Sequence, residues 1–142
     1  MRPIKQVIAA KSPRIISVPP LATVFEALQL LAETDVGALL VMDDDRLVGI
    51  FSERDYARRV VLQGKTSRET LVREVMTERV ICAQPSQTVE EAMAMMTELH
   101  CRHLPVVEDG RLIGVVSIGD LVKEIISEQE FLIQQLESYI MQ

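Results

Sequence analysis

Two serine–aspartate pairs are the residues best placed to do chemistry. Ser52 and Asp55 stand three apart, as do Ser117 and Asp120. Each serine follows a glycine by three, in Gly49-Ile50-Phe51-Ser52-Glu53-Arg54-Asp55 and Gly114-Val115-Val116-Ser117-Ile118-Gly119-Asp120. A hydroxyl at the first position of a helix can donate to a phosphate oxygen. The free backbone N–H groups and the positive dipole end beside it favour the same charge. A carboxylate three residues on can accept from both hydroxyls of a ribose, and an apolar strand beside it can wall an adenine. The same spacing also suits a purely structural cap, in which serine and aspartate satisfy each other. Arg54 can face a phosphate, whereas the second copy has Ile118-Gly119 in place of Glu53-Arg54. The first motif is therefore the better equipped for a charged ligand.

Other chemistries find little support. No Ser-His-Asp grouping, metal-ligand set or Walker-type loop is present, so the chain is expected not to be an enzyme, with no catalytic residues and no catalytic cofactor. Cys82 and Cys101 do not form a CxxC pair, and with His100 and His103 they are too few and too poorly spaced for structural zinc. They read as buried reduced thiols, which fits a reducing compartment. Met1 to Lys11 lacks the apolar core of a signal peptide, and no run reaches the roughly 20 apolar residues of a membrane span. A cytoplasmic protein with no membrane partner is expected. A net charge of −6 and an aromatic content of 4% argue against a nucleic-acid partner.

The elements that must position the motifs emerge from an internal repeat. Sliding the chain by 65 residues lays Ile15–Tyr56 on Val80–Leu121 without a gap. Ile16 falls on Ile81, Pro20 on Pro85, Thr23-Val24 on Thr88-Val89 and Glu26-Ala27 on Glu91-Ala92. Farther on, Asp44, Arg46-Leu47 and Gly49 fall on Asp109, Arg111-Leu112 and Gly114. Each copy opens with a β-prone segment (Arg14–Val18; Arg79–Ala83) and a proline turn. A helix then begins at Thr23 or Thr88, with glutamate at capping-box spacing. Its apolar stripe is Val24, Ala27, Leu28 and Leu31, matched by Val89, Ala92, Met93 and Met96. Two short apolar runs follow around an acidic link, which reads as a hairpin. A second helix starts at Ser52 or Ser117. The predicted fold is α/β, two β-α-β-β-α units spanning residues 1–65 and 66–126, joined by a polar linker at Gln63–Arg68 and a short helix-like stretch at Glu69–Met76.

This duplicated motif in matched context, with Arg102-His103-Leu104-Pro105-Val106 upstream of the second hairpin, resembles a pair of cystathionine-β-synthase (CBS) domains. The likeness runs from about Lys11 to about Ile126 and extends to the small stand-alone CBS-pair proteins. It implies a pseudo-twofold regulatory module that binds an adenine nucleotide such as AMP, ADP, ATP or NAD, and frequent pairing of two modules. It further implies one cleft combining Ser117 and Asp120 with Lys11, Ile16 and Val36. The other would combine Ser52, Arg54 and Asp55 with Met76, Ile81 and Cys101. Ile50 and Val115 would line the adenine walls, and Arg102 or His103 could reach a phosphate. A structural dimerisation module with empty or vestigial clefts is the alternative.

Three features extend beyond the motif. Arg54, Arg58, Arg59, Lys65 and Arg68 form a basic stretch, read either as a solvated face or as a contact for a phosphate or acidic partner. Met95 falls off its helix's apolar stripe and is open to a partner contact. Beyond the repeats, residues 127–142 form a helical extension. Val122, Ile125, Leu132, Leu136 and Tyr139 recur at three- and four-residue steps. That face either packs back on its own module or pairs with a second subunit. The subunit contact is favoured, which makes a homodimer the expected assembly, alongside a regulated protein partner.

Overall fold

In a computed structural model that describes residues 2–10 and 15–141, the chain divides into two units. The first-repeat unit is Ile15–Val80. The second-repeat unit joins helix α1 (Ile4–Ala10) to the chain from Ile81 onward. A boundary after residue 65 separates the repeats in sequence order. In space, residues 66–80 stay with the first repeat, and α1 belongs with the second.

The first-repeat unit contains β1 (Ser17–Val18), α2 (Val24–Thr34), β2 (Ala38–Asp43) and β3 (Arg46–Ser52). One turn of α-helix, α3 (Glu53–Asp55), then runs into a π-helical segment, Tyr56–Val61, and α4 (Val72–Val75) follows. The sheet order is β1-β2-β3, with β1 parallel to β2 and β3 antiparallel to it. Thr23 caps α2 by accepting the Glu26 N–H at 3.1 Å, and Asp35 ends it in the left-handed conformation at φ 54°. Between these stops the predicted stripe turns inward. Val24, Ala27 and Leu31 are buried with Leu39, Val41, Phe51 and Val75, while Leu28 packs half-buried against them. Burial of each such large side chain favours the fold by about 1.5–3 kcal/mol.

The second-repeat unit contains α5 (Val89–Leu99), β4 (His103–Glu108), β5 (Arg111–Ser117) and α6 (Ile118–Ile140). Its hairpin repeats the register of the first, including the irregularity, which falls between Val106 and Val107 here and between Val41 and Met42 there. The strand expected at Arg79–Ala83 is reduced to a single bridge, Ala83 with Val106. The cause lies in one residue. In the first repeat the Leu40 N–H donates to Ile16 O at 3.2 Å, which extends β1. Pro105 occupies the matching place in the second and has no N–H to offer Ile81.

Helix α1 is the counterpart of α4. Val72 and Arg73 donate their N–H groups to Ala22 O (2.8 Å) and Pro20 O (3.0 Å). Ile4 and Lys5 donate theirs to Gln87 O (2.8 Å) and Pro85 O (3.0 Å), the repeat-related carbonyls. Each unit thus closes its core with a short helix, Val72 and Val75 in one and Ile4 and Val7 in the other. An ion pair from Arg2 Nη1 to Glu124 Oε1, 2.6 Å long, ties the start of α1 to α6.

The two second helices differ. In the first repeat the helix begun at Ser52 slips into π geometry, with Leu62 N–H bonding Ala57 O at 3.1 Å, and stops at Val61. In the second, α6 runs 23 residues without interruption. The extension expected from residue 127 is therefore the continuation of α6 rather than a separate element. Leu121 is buried and Ile125 packs against the core, whereas Leu132, Leu136 and Tyr139 are 55%, 62% and 78% exposed.

Candidate functional site

The local folding of the first motif follows from strand β3 ending where Phe51 is fully buried and Ser52 turns outward. Ser52 becomes the N-cap of α3. Its hydroxyl accepts the Asp55 N–H at 3.1 Å and donates to Asp55 Oδ2 at 3.0 Å. That oxygen also accepts the Ser52 N–H at 3.0 Å. The capping arrangement is complete, so serine and aspartate hold each other in place.

The other carboxylate oxygen is engaged from a different element. Thr77 Oγ1 donates to Asp55 Oδ1 at 3.1 Å, and Arg59 Nε lies 3.9 Å from the same oxygen. Thr77 is itself fixed on the edge of β3. Its N–H donates to Ile50 O at 2.8 Å, and Ile50 N–H donates to Thr77 O at 3.0 Å. Arg59 also donates through Nη1 to Met76 O (2.9 Å) and Val75 O (3.3 Å). The site therefore gathers Ile50, Ser52, Asp55, Met76 and Thr77, with Arg59 alongside. Arg54 is exposed one residue before Asp55.

The second motif repeats the cap. Ser117 N–H donates to Asp120 Oδ2 at 2.9 Å, and Asp120 N–H donates to Ser117 Oγ at 3.1 Å. His103 stands directly opposite Ser117 in the β4–β5 pair, and Arg102 O accepts the Ile118 N–H at 2.9 Å. At the matching places the first repeat has Ala38 opposite Ser52 and Gly37 O accepting from Glu53 N–H at 3.1 Å. The two helix starts are alike in backbone and unlike in charge. One carries Glu53-Arg54 on the helix; the other carries Arg102 just before β4 and His103 at its first position.

The remaining predicted residues divide between the units. Ile16, Val36 and Met76 pack half-buried against the first-repeat core. Cys101 packs against the second-repeat core, Val115 is half-buried opposite Pro105 in the β4–β5 pair, and Ile81 is 38% exposed. Lys11 lies outside the described residues. Both cysteines are free and half-buried rather than buried as expected, and this partial burial pushes both thiols above the ordinary cysteine range. Among the described residues no cluster of His, Cys, Asp and Glu could hold a metal ion, and no helix is long and apolar enough to cross a membrane. A shallow groove lined by Lys5, Cys82, Pro85, Glu108, Asp109 and Gly110 sits at the turn end of the second hairpin and holds none of the predicted residues.

The sequence places Arg59 only in the basic stretch, without linking it to Asp55, and does not point to Thr77 at all. Arg59 follows Asp55 by four, a spacing that brings opposite charges together on a helix and was a usable signal. Thr77 comes from another element, and no local spacing points to it.

The chain is similar to known proteins along most of its length. The family model for the CBS domain matches twice, at residues 4–62 and 72–127. The CBS domain-containing protein CBSX3, mitochondrial, of Arabidopsis thaliana is 40% identical over 123 residues, 83% of this chain and 60% of that protein's length. The solved structure of a protein with CBS domains from Burkholderia ambifaria is 48% identical, with a TM-score of 0.87 over 89% of this chain and 96% of the other. The CBS domain pair of protein MJ0100, solved with 5′-methylthioadenosine and S-adenosyl-L-methionine, is 25% identical. It aligns with a TM-score of 0.79 over 90% of this chain and 98% of its own.

Proposed function

Because the chain belongs to the CBS-domain family, we propose that it is a non-catalytic regulatory CBS pair that senses an adenine nucleotide, AMP, ADP, ATP or NAD. The observation that carries the reading is the duplicated Ser-x-x-Asp unit, folded in both copies at the junction of hairpin and helix. The adenosyl ligands of the MJ0100 pair support it, since that pair shares this fold over nearly its whole length. In this reading Asp55 and Asp120 take the ribose, and Ser52 and Ser117 face a phosphate. Arg54 assists in the first repeat; Arg102, His103 and Lys11 assist in the second. Ile50 and Val115 border the adenine, with Ile16, Val36, Met76, Ile81 and Cys101 contributing apolar surface. Binding shifts the chain between arrangements only insofar as the nucleotide prefers one of them.

The same proposal includes a homodimer formed through the exposed face of α6, a regulated protein partner and a cytoplasmic location. A structural dimerisation module is the second reading. What favours it is that both Asp55 oxygens already have internal donors. Isothermal titration with AMP, ATP and NAD separates the two. Saturable heat supports the sensor, and its absence at millimolar ligand supports the structural module.

A further inference from the structure

A ribose hydroxyl binds a carboxylate well only if the carboxylate plane is fixed, because its O–H must meet an acceptor position of set direction. Asp55 has such a fixed plane, and the two sides are held by different elements. Ser52 holds Oδ2 through its N–H and hydroxyl, both at 3.0 Å. Thr77 holds Oδ1 at 3.1 Å from a backbone locked to Ile50 by two hydrogen bonds. At 3.9 Å, Arg59 Nε is too far for a hydrogen bond and exerts attraction without direction. Without the Thr77 hydroxyl, the half-buried carboxylate could turn about its last bond. Each carboxylate oxygen offers two lone pairs; Ser52 fills both on Oδ2, while Thr77 fills one on Oδ1 and leaves the other for one hydroxyl of the diol.

We infer that Thr77 is a positioning residue for recognition of a ribose diol at Asp55. The inference rests on the nucleotide reading above and adds a residue from outside the Ser-x-x-Asp motif. It concerns specificity for the hydroxyls, which a residue serving only stability does not affect.

The test compares AMP with 2′,3′-dideoxy-AMP by titration calorimetry on the full chain. Wild type binds AMP about tenfold more tightly, the value of one hydrogen bond to a charged group. Thr77→Val keeps the β-branched shape and removes the donor, so AMP weakens toward dideoxy-AMP while dideoxy-AMP affinity stays unchanged. Thr77→Ser restores the preference. In an Asp55→Asn background, Thr77→Val changes neither affinity. A wild type that binds neither nucleotide overturns the sensor reading and the inference with it. A wild type that discriminates, with Thr77→Val discriminating equally, overturns the inference alone. If Thr77→Val does not fold, Thr77→Ala is compared with Thr77→Ser on the same two ligands, and equal preference in both overturns it.

Discussion

A Cβ on Gly49 would lie 2.6 Å from Met76 Sδ, so the glycine of the first motif exists to let Met76 lie across strand β3. The carbonyl of Thr77 would stand only 3.0 Å from the same Cβ, and it is hydrogen-bonded to Ile50 and has little room to retreat. Gly49→Ala should therefore destabilise the protein by about 1–3 kcal/mol, the usual range for overpacking. Gly114→Ala should cost less, because its nearest neighbour is the tip of Ile8 at 3.1 Å, a side chain that can yield. Urea denaturation of both variants checks the order, and equal loss would contradict this account of Gly49.

The capping threonines offer a local test. Thr23 and Thr88 each accept one helix N–H at 3.1 Å. Replacing either by alanine should reduce stability by about 1 kcal/mol. Denaturant midpoints should fall by similar amounts for the two, since the caps have the same geometry.

The thiols provide a pH prediction. Burial holds Cys82 and Cys101 above the ordinary thiol range, so less thiolate is present at neutral pH than in a free cysteine. Alkylation by iodoacetamide in the native protein should be slower than in the urea-unfolded chain, and its pH–rate midpoint should lie higher. A raised folded pKa also makes stability fall as pH rises past the unfolded thiol's pKa, because only the unfolded chain then ionises. A midpoint at or below that of the unfolded chain would contradict the burial argument.

Much of this fold could be read from the repeat. The caps at Thr23 and Thr88, the apolar stripes and the two hairpins follow local periodicity, which is why they were legible. The lost strand before Ala83 was also in reach, since Pro105 stands where an N–H is required. The pairing of α1 with the second repeat was not legible, because it depends on contacts across most of the chain. Nor was the π-helical slip after Asp55, where Arg59 bonds carbonyls at Val75 and Met76. For the site, sequence supplied Ser52 and Asp55, while Thr77 arrives from a separate element and leaves no local signature.

The far half of α6 tests the assembly. Leu132 and Leu136 lie on the exposed apolar face of a helix whose first turns are packed into the core. If that face pairs with a second copy, Leu132→Glu with Leu136→Glu should convert a dimer to a monomer in sedimentation velocity. Thermal stability should change little, since neither side chain is buried within the chain. A wild-type monomer, or a dimer unaffected by the double change, would contradict the assignment.

The central claim is nucleotide binding at the Ser-x-x-Asp motifs. Its most direct test is titration calorimetry of the wild type with AMP beside the Asp55→Ala and Asp120→Ala variants. The account predicts saturable binding in the wild type, with AMP affinity reduced about tenfold or more by Asp55→Ala and to a smaller extent by Asp120→Ala. No heat at millimolar AMP, ATP or NAD, or an affinity untouched by either substitution, would contradict it.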